Sequence, residues 1–254
     1  MPDCPGRGGV GGRYTRLTEM STSQTLARVG RVALDLLYPP RCAVCGRHDD
    51  FLCASCFDGL PRADGARCDV CWSPLGANGR CRACSERELA LTRLRAVFRY
   101  EGEVRRLVHA FKFAGHSALT PYLARPMLES LWEHGLEVDL VVPVPLTGLR
   151  RRRRGFNQAA LLGREMAKGA GLPFEEPLSR RRFPGPQARS ASAIDRQRNV
   201  EGAFAVSKPE AVADRRVLLI DDITTTGATL DACARVLLAA GAGEVSALTF
   251  ARED

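Results

Sequence analysis

The sequence predicts an α/β domain built on a parallel sheet, with a small cysteine-rich module ahead of it. Three observations carry that expectation. From residue 93 onward, apolar runs of strand length alternate with segments of helical period, the order that lays helices on the faces of a parallel sheet. Eight of the ten cysteines fall in four Cys-x2-Cys pairs within the 43 residues 42–84. An apolar strand over 216–221 runs into two adjacent acids and a threonine-rich turn, "DDITTTGAT".

The chain opens on "MPDCPGRGGVGGRYTRLTEM", rich in glycine and arginine and without the apolar h-region of a secretory signal. Residues 1–29 are expected to be disordered or to precede the true start, for which Met20 is a candidate. No apolar run approaches the ~20 residues of a membrane helix, so the expectation is a cytoplasmic protein without membrane insertion. The 254 residues, 45% hydrophobic and 26% charged, suffice for one full domain and a smaller module. The change of pattern near residue 93 divides a module at 30–92 from a domain at 93–254. The net charge of +8 points to anionic partners. Lys112, Lys168 and Lys208 are the only lysines, leaving 34 arginines, a skew that GC-rich codon usage produces by itself.

In the module, Cys42/Cys45, Cys53/Cys56, Cys68/Cys71 and Cys81/Cys84 each put two thiolates on one tight knuckle. Two knuckles complete a closed tetrahedral Cys4 site, the geometry of structural zinc. Without a secretory leader, metal is favoured over disulfides. Seven residues separate Cys45 from Cys53, nine separate Cys71 from Cys81, and eleven separate the halves. The simplest pairing is sequential, giving two zinc ions; a crossed arrangement is the alternative. His48 is a conceivable substitute ligand but reads more readily as a surface histidine. Large aliphatics are few here, so zinc must supply the folding energy, ~10–16 kcal/mol per site in small metal-folded peptides. Cys4 and Cys233 fall outside the pattern, and Cys233 reads as a small core residue on a helix.

The domain begins with a strand at 94–100. A helix at 104–115 follows, with Leu107, Val108, Phe111 and Ala114 on one face and Gly115 at its end. "LVVPVP" (140–145) is a buried strand stopped by prolines. Residues 157–171 form a helix with Phe156, Ala160 and Leu161 inward and Gly169 or Gly171 as its cap. A buried strand at 216–221, a helix at 229–243 and a strand at 244–252 complete the pattern. Ligands of such folds bind at the carboxyl ends of the strands, where "VPVPLT" and "DDITTTGAT" both fall.

A strand-to-helix loop presents free backbone N–H groups, and the helix start adds positive potential. Thr224, Thr225, Thr226 and Thr229 add hydroxyls, Gly227 permits close backbone approach, and Ala228 opens the helix. That is a cradle for a phosphate monoester, without the lysine of a P-loop. Asp221 and Asp222 would repel such a ligand unless they met hydroxyls or a cation. A sugar phosphate with a vicinal diol, together with Mg²⁺, supplies both.

"VLLIDDITTTGAT" (217–229) resembles the ribose-phosphate signature of type I phosphoribosyltransferases. "VVPVPLTGLRRRRRGFNQAALLGREMA" (141–167), "QARSASAIDRQRNVEGAF" (187–204) and the cysteine knuckles narrow the resemblance to the ComF/GntX family, tied to natural competence and DNA uptake. It spans about residues 30–254. The resemblance implies a type I phosphoribosyltransferase-like parallel-sheet domain preceded by a double zinc ribbon. It implies that Asp221 and Asp222 bind the 2′- and 3′-hydroxyls of 5-phosphoribosyl-1-pyrophosphate with Mg²⁺. Residues 224–229 would hold the 5′-phosphate, and the loop after "PVP" would face the pyrophosphate. Arg154 and Lys112 are candidate pyrophosphate or anion clamps, Lys112, in "FKFAG", matching a lysine of the family pattern. The expected reaction moves the phosphoribosyl group to an unidentified acceptor. One departure stands out: several nucleobase enzymes of this fold carry an acid inside the phosphate loop, and "ITTTGAT" has none.

Arg150–Arg154 admits three readings: a solvated loop, a pyrophosphate clamp, or a contact to DNA phosphates. Arg180–Arg182 reads as a solvated loop. No aromatic platform for stacking single-stranded DNA is interleaved with these residues, and His109 and His116 lack ligand partners at useful spacing. Two function classes follow: a phosphoribosyl-transferring enzyme, or a nucleic-acid-binding or regulatory module, with single-stranded DNA or competence proteins as partners, that keeps the site without turnover.

Overall fold

The computed structural model describes residues 40–48, 50–75, 81–86, 88–113, 117–146, 155–180 and 202–254. In chain order the elements are α1 (Ala54–Asp58), α2 (Arg82–Glu86), β1 (Leu94–Arg99), α3 (Gly102–Phe113), α4 (Thr120–Glu133), β2 (Leu140–Pro143), α5 (Gln158–Ala170), β3 (Leu178–Arg180), β4 (Phe204–Val206), β5 (Arg216–Thr224), α6 (Ala228–Ala239) and β6 (Glu244–Arg252). Four strands form one sheet in the order β1-β6-β5-β2, and every pairing is parallel. β3 and β4 form a separate antiparallel pair.

Burial on both sheet faces explains the near-continuous apolar runs of β5 and β6. On one face α3, α4 and α5 lay Leu107, Phe111, Leu123, Met127, Leu162 and Met166 against Val141, Leu218, Ile220 and Phe250. On the other, Leu230, Cys233 and Leu237 of α6 cover Val142, Val217, Leu219 and Ala247, joined by Leu178 and Phe204 from the β3–β4 pair. Cys233 is fully buried there, the core role expected of it.

Pro143 lies inside β2, where a proline should break pairing. Val144 N–H bonds inward to Ile220 O (2.9 Å), whereas Val141 N–H bonds outward to Pro173 O (3.0 Å). The missing N–H of Pro143 therefore belongs to the outward series and costs no bond to β5.

Helix α4 has no counterpart among the elements expected from the sequence. Its buried residues Thr120, Leu123, Ala124, Met127, Ser130 and Leu131 follow helical spacing. Pro121 in the first turn and Pro126 in the interior disguise it. The first loses an N–H that is orphaned anyway; the second removes an interior bond that packing must offset. On α5 the deepest residues are Leu162 and Met166, while Leu161 is only partly buried. Gly171 is the helix cap, in the left-handed region at φ 67°. Leu172 N–H reaches Ala167 O (2.9 Å) and Gly171 N–H reaches Lys168 O (3.4 Å), the paired bonds of a Schellman ending. Gly169 acts through its lack of a side chain. A Cβ there would lie 2.6 Å from Leu128 Cδ2, so the glycine lets α4 and α5 approach.

The cysteine module covers the outer edge of β1. Ala63 N–H bonds to Val97 O (2.9 Å), Arg99 N–H to Pro61 O (2.8 Å) and Leu94 N–H to Val70 O (2.7 Å). Leu52, Leu60 and Cys42 pack into the same core cluster as Val97 and Phe98.

Replacing Gly171 with Ala forces a Cβ into the left-handed region without any new contact, since the space around it is open. The expected loss is about 1 kcal/mol, read as a lowered denaturation midpoint at unchanged slope.

Candidate functional site

A cavity of about 210 Å³ opens at the carboxyl ends of β2 and β5. Val144–Leu146 follow β2 along one wall, Asp221–Ile223 of β5 form another, and Thr229 reaches in from the start of α6. Lys112, from the last turn of α3, and Arg180, at the end of β3, supply cationic groups. The helices that follow β2 and β5 lie on opposite faces of the sheet, which leaves the crevice between them open.

Strand alternation separates the two acids. Asp222 shares a face with Leu218 and Ile220, toward α3 and α5; Asp221 shares a face with Val217 and Leu219, toward α6. Accordingly Asp222 Oδ2 pairs with Lys112 Nζ at 3.0 Å, both side chains being largely buried. Asp221 Oδ1 accepts the Asp222 N–H at 2.8 Å. Burial pushes the Asp221 carboxyl well above the usual carboxylate range, and the charge of Asp222 pushes it further. The Cys233 thiol is likewise raised, by burial first and by Asp221 second.

The threonine loop is shorter than the sequence suggests. β5 continues through Thr224, which is buried and in register with Arg252, so that residue belongs to the sheet. Thr225 and Thr226 are exposed, and Thr226 Oγ1 accepts the Ala228 N–H at 3.4 Å. Gly227 caps α6 at φ 77°, a backbone shape that favours glycine. Asp231 in the first turn of α6 would oppose an anion, but its carboxylate is turned aside: it accepts the Ala90 N–H (2.6 Å) and pairs with Arg235 Nε (3.2 Å). Arg154 and the rest of the arginine run 150–154 lie outside the described residues, as does His116.

Two positioning residues escape the sequence reading. Asn157 accepts the Ala159 N–H (3.2 Å) as the N-cap of α5 and donates from Nδ2 to Val144 O (3.0 Å), tying the helix start to the end of β2. Gln158, almost fully buried, donates from Nε2 to Lys112 O (3.4 Å), tying α5 to the end of α3. An asparagine immediately before an apolar helical run is the signal that marks the first; nothing in the sequence marks the second.

The eight cysteines gather into two tetrads in sequential order: Cys42, Cys45, Cys53 and Cys56, then Cys68, Cys71, Cys81 and Cys84, with the sulfurs of each within 4.8 Å of one another. Tetrahedral zinc–sulfur bonds of ~2.3 Å put sulfurs about 3.8 Å apart, and Cys45 Sγ lies 3.8 Å from Cys53 Sγ. Without a cation the four groups cannot ionise alike. Cys53 is lowered to about 6 by the Ser55 hydroxyl and the Cys56 backbone, while Cys56 is pushed up to about 12, by burial first and then by its neighbouring thiols. Both tetrads fit zinc, and His48 is exposed and belongs to neither. The second tetrad is keyed into the sheet by two buried arginines. Arg252 Nη1 donates to Cys71 O (2.9 Å) and its Nη2 to Ser73 Oγ (2.5 Å). Arg95 Nη1 donates to Asp69 O (2.7 Å), and its guanidinium stacks over the Trp72 ring at 4.5 Å. Four thiolates and one zinc would carry a net double negative charge, and these two arginines place positive charge beside it, Arg252 being shared with Asp254.

Residues 33–85 match the double zinc ribbon domain family and residues 134–254 the phosphoribosyl transferase domain family. With the parallel sheet and the acid-bearing strand end, they define the class: a phosphoribosyltransferase-type domain carrying a double zinc ribbon. The chain belongs to the ComF family. It is 32% identical to Competence protein F of Haemophilus influenzae, over 73% of this chain and 84% of that protein. It is 31% identical to the DNA utilization protein YhgH of Salmonella typhimurium, over 92% of this chain and 99% of that one. Identity to Competence protein ComFC of Bacillus subtilis is 29%, over 95% of this chain and 97% of that one. Among solved structures, the glutamine phosphoribosylpyrophosphate amidotransferase of B. subtilis matches at 24% identity and a TM-score of 0.37, over 52% of this chain and 26% of that one. No helix among the described residues is long and apolar enough to cross a membrane.

Metal analysis of natively purified protein should give two zinc ions per chain; a value near zero with disulfide-bonded thiols is the opposing result. Replacing Cys71 with Ser should lower the melting temperature of the whole protein more than replacing Cys53, because Cys71 is buried on the Arg252 clamp and Cys53 is only partly buried in the first tetrad.

Proposed function

We propose that this protein binds 5-phosphoribosyl-1-pyrophosphate with Mg²⁺ and transfers its phosphoribosyl group to an acceptor, in the cytoplasm, in the service of DNA uptake or use. The observation that carries this reading is the meeting of Asp221, Asp222 and the start of α6 around one cavity. Membership of the ComF family, with relatives named for competence and DNA utilization, supports the biological setting. The division into a zinc module at 30–92 and a catalytic domain at 93–254 belongs to the same proposal.

In this reading the acid pair takes the ribose hydroxyls, while Thr225, Thr226, Gly227, Ala228 and Thr229 hold the 5′-phosphate. Arg154 lies on the loop that would face the pyrophosphate. The bond from the anomeric carbon to the pyrophosphate oxygen breaks, and its electron pair leaves with pyrophosphate. The acceptor's lone pair forms the new bond, and its proton passes to solvent. Asp221 and Asp222, two hard oxygen donors at an open cavity, fit Mg²⁺, which when bound would neutralise departing pyrophosphate charge. The protein's own contribution is positioning, and carboxylates beside the positive charge that develops on the ribose.

Asp222→Asn should weaken binding of the activated sugar and of ribose 5-phosphate but barely affect inorganic phosphate. Thr226→Val should weaken all three. Each loses a hydrogen bond involving a charged group, expected to lower affinity about tenfold to a hundredfold, measured by calorimetry on folded variants. A wild-type protein that does not bind the activated sugar with Mg²⁺ overturns the reading. Binding without pyrophosphate release across an acceptor screen would point to the ligand-sensing module instead.

A further inference from the structure

We propose that Lys112 is a resident counter-cation of the acid pair. It is a positioning residue that holds the side of Asp222 a divalent metal would take, until an anionic ligand draws it away. The proposal rests on the phosphoribosyl reading of the site and adds how the metal is admitted.

The geometry is specific. Lys112 occupies the last turn of α3, where a cation is stabilised by the carbonyl end of the helix. Gln158 pins its backbone carbonyl, so the stem starts from a fixed point beside the cavity. Its ammonium lies 3.0 Å from Asp222 Oδ2, with the side chains only 18% and 10% exposed. A pair so enclosed is weakly screened by salt. Among the described residues lining the cavity, the other cationic group is Arg180, whose guanidinium lies over the Phe204 ring at 5.2 Å.

A divalent ion arriving alone at Asp222 meets an ammonium already in contact with the carboxylate. It must displace that ammonium or bear its repulsion at close range. A ligand carrying pyrophosphate changes the balance: its oxygens offer the flexible, three-donor lysine head a second anionic partner, and Asp222 is released to the metal or the ribose. Metal and anion therefore enter together. The empty protein excludes divalent cations, while the bound one takes them.

The test uses Mn²⁺ alone at pH 7.5, with free ion counted by electron paramagnetic resonance. Lys112→Met leaves Asp222 without its partner and should bind Mn²⁺ at least about tenfold more tightly than wild type. Lys112→Arg keeps the charge and should stay near wild type. Lys112→Met combined with Asp222→Asn should lose the gain. Circular dichroism checks that each variant is folded, and Lys112→Gln, which retains a neutral donor, replaces the Met variant if that one is not. Unchanged Mn²⁺ affinity in a folded Met or Gln variant overturns the proposal, as does an Arg variant that gains affinity like the neutral ones. Calorimetry with the activated sugar and Mg²⁺ on wild type is a separate arm: no binding there sinks the phosphoribosyl reading, whereas the Mn²⁺ series judges Lys112 without it.

Discussion

Strand β5 is hydrogen-bonded to β2 on one side and to β6 on the other, and the site depends on that double pairing. Because both flanks are occupied, its backbone cannot shift register without moving the sheet. Because both faces are buried, its side chains must be apolar until the strand leaves the core. Asp221 and Asp222 come at the point where β2 has ended and its chain has turned away through Val144–Leu146. That local loss of cover creates the cavity. The same pairing continues on the β6 side as far as Thr224, so the strand carries the acids on a rigid edge rather than on a loop.

Two neighbouring carboxylates in such a place work against the fold. Strand alternation eases the conflict by sending them to opposite faces. Lys112 then answers the charge of Asp222, while Asp221 is left half-buried with its ionisation suppressed. A residue whose charged form is disfavoured by the fold, held at the mouth of a cavity, is a candidate functional position. Asp231 shows the contrast. It too is a buried acid near the site, but Ala90 and Arg235 answer it fully, and it serves packing by joining α6 to the segment ahead of β1.

The zinc ribbons solve a different problem. β1 is an edge strand with an apolar sequence, and an uncovered edge of that kind invites pairing with other chains. The cysteine module occupies that edge with backbone bonds at Leu94, Val97 and Arg99. It has little core of its own, so its shape depends on metal. Arg95 and Arg252 carry the dependence into the sheet, since each is buried and each donates to the second tetrad's knuckle, Arg95 bonding Leu94 O and Arg252 pairing with Asp254 besides. Arg252 also stands opposite Thr224 in the β5–β6 register, a short physical path between the metal site and the strand that bears the acids.

Local pattern alone announced the four strands of the parallel sheet, most of the helices that cover them and the residues proposed for the two sites, but not the β3–β4 pair. The Cys-x2-Cys knuckles constrain their sulfurs within a few residues, and a buried parallel strand needs an uninterrupted apolar run that composition exposes directly. Helix α4 stayed hidden because its two prolines speak against a helix locally, while the evidence for it lies in which side chains meet α5 and the sheet. The end of β5 was equally invisible. Thr224 has the look of a loop residue, and only its pairing with β6 makes it strand. The opposite faces of Asp221 and Asp222, the Lys112–Asp222 contact and the anchoring of Gln158 all join residues far apart in the chain or on different layers. The sequence determined which chemical groups are present and in what local geometry. The tertiary structure decided which of them meet, because strand register and helix packing are set by long-range burial that no short stretch of residues encodes.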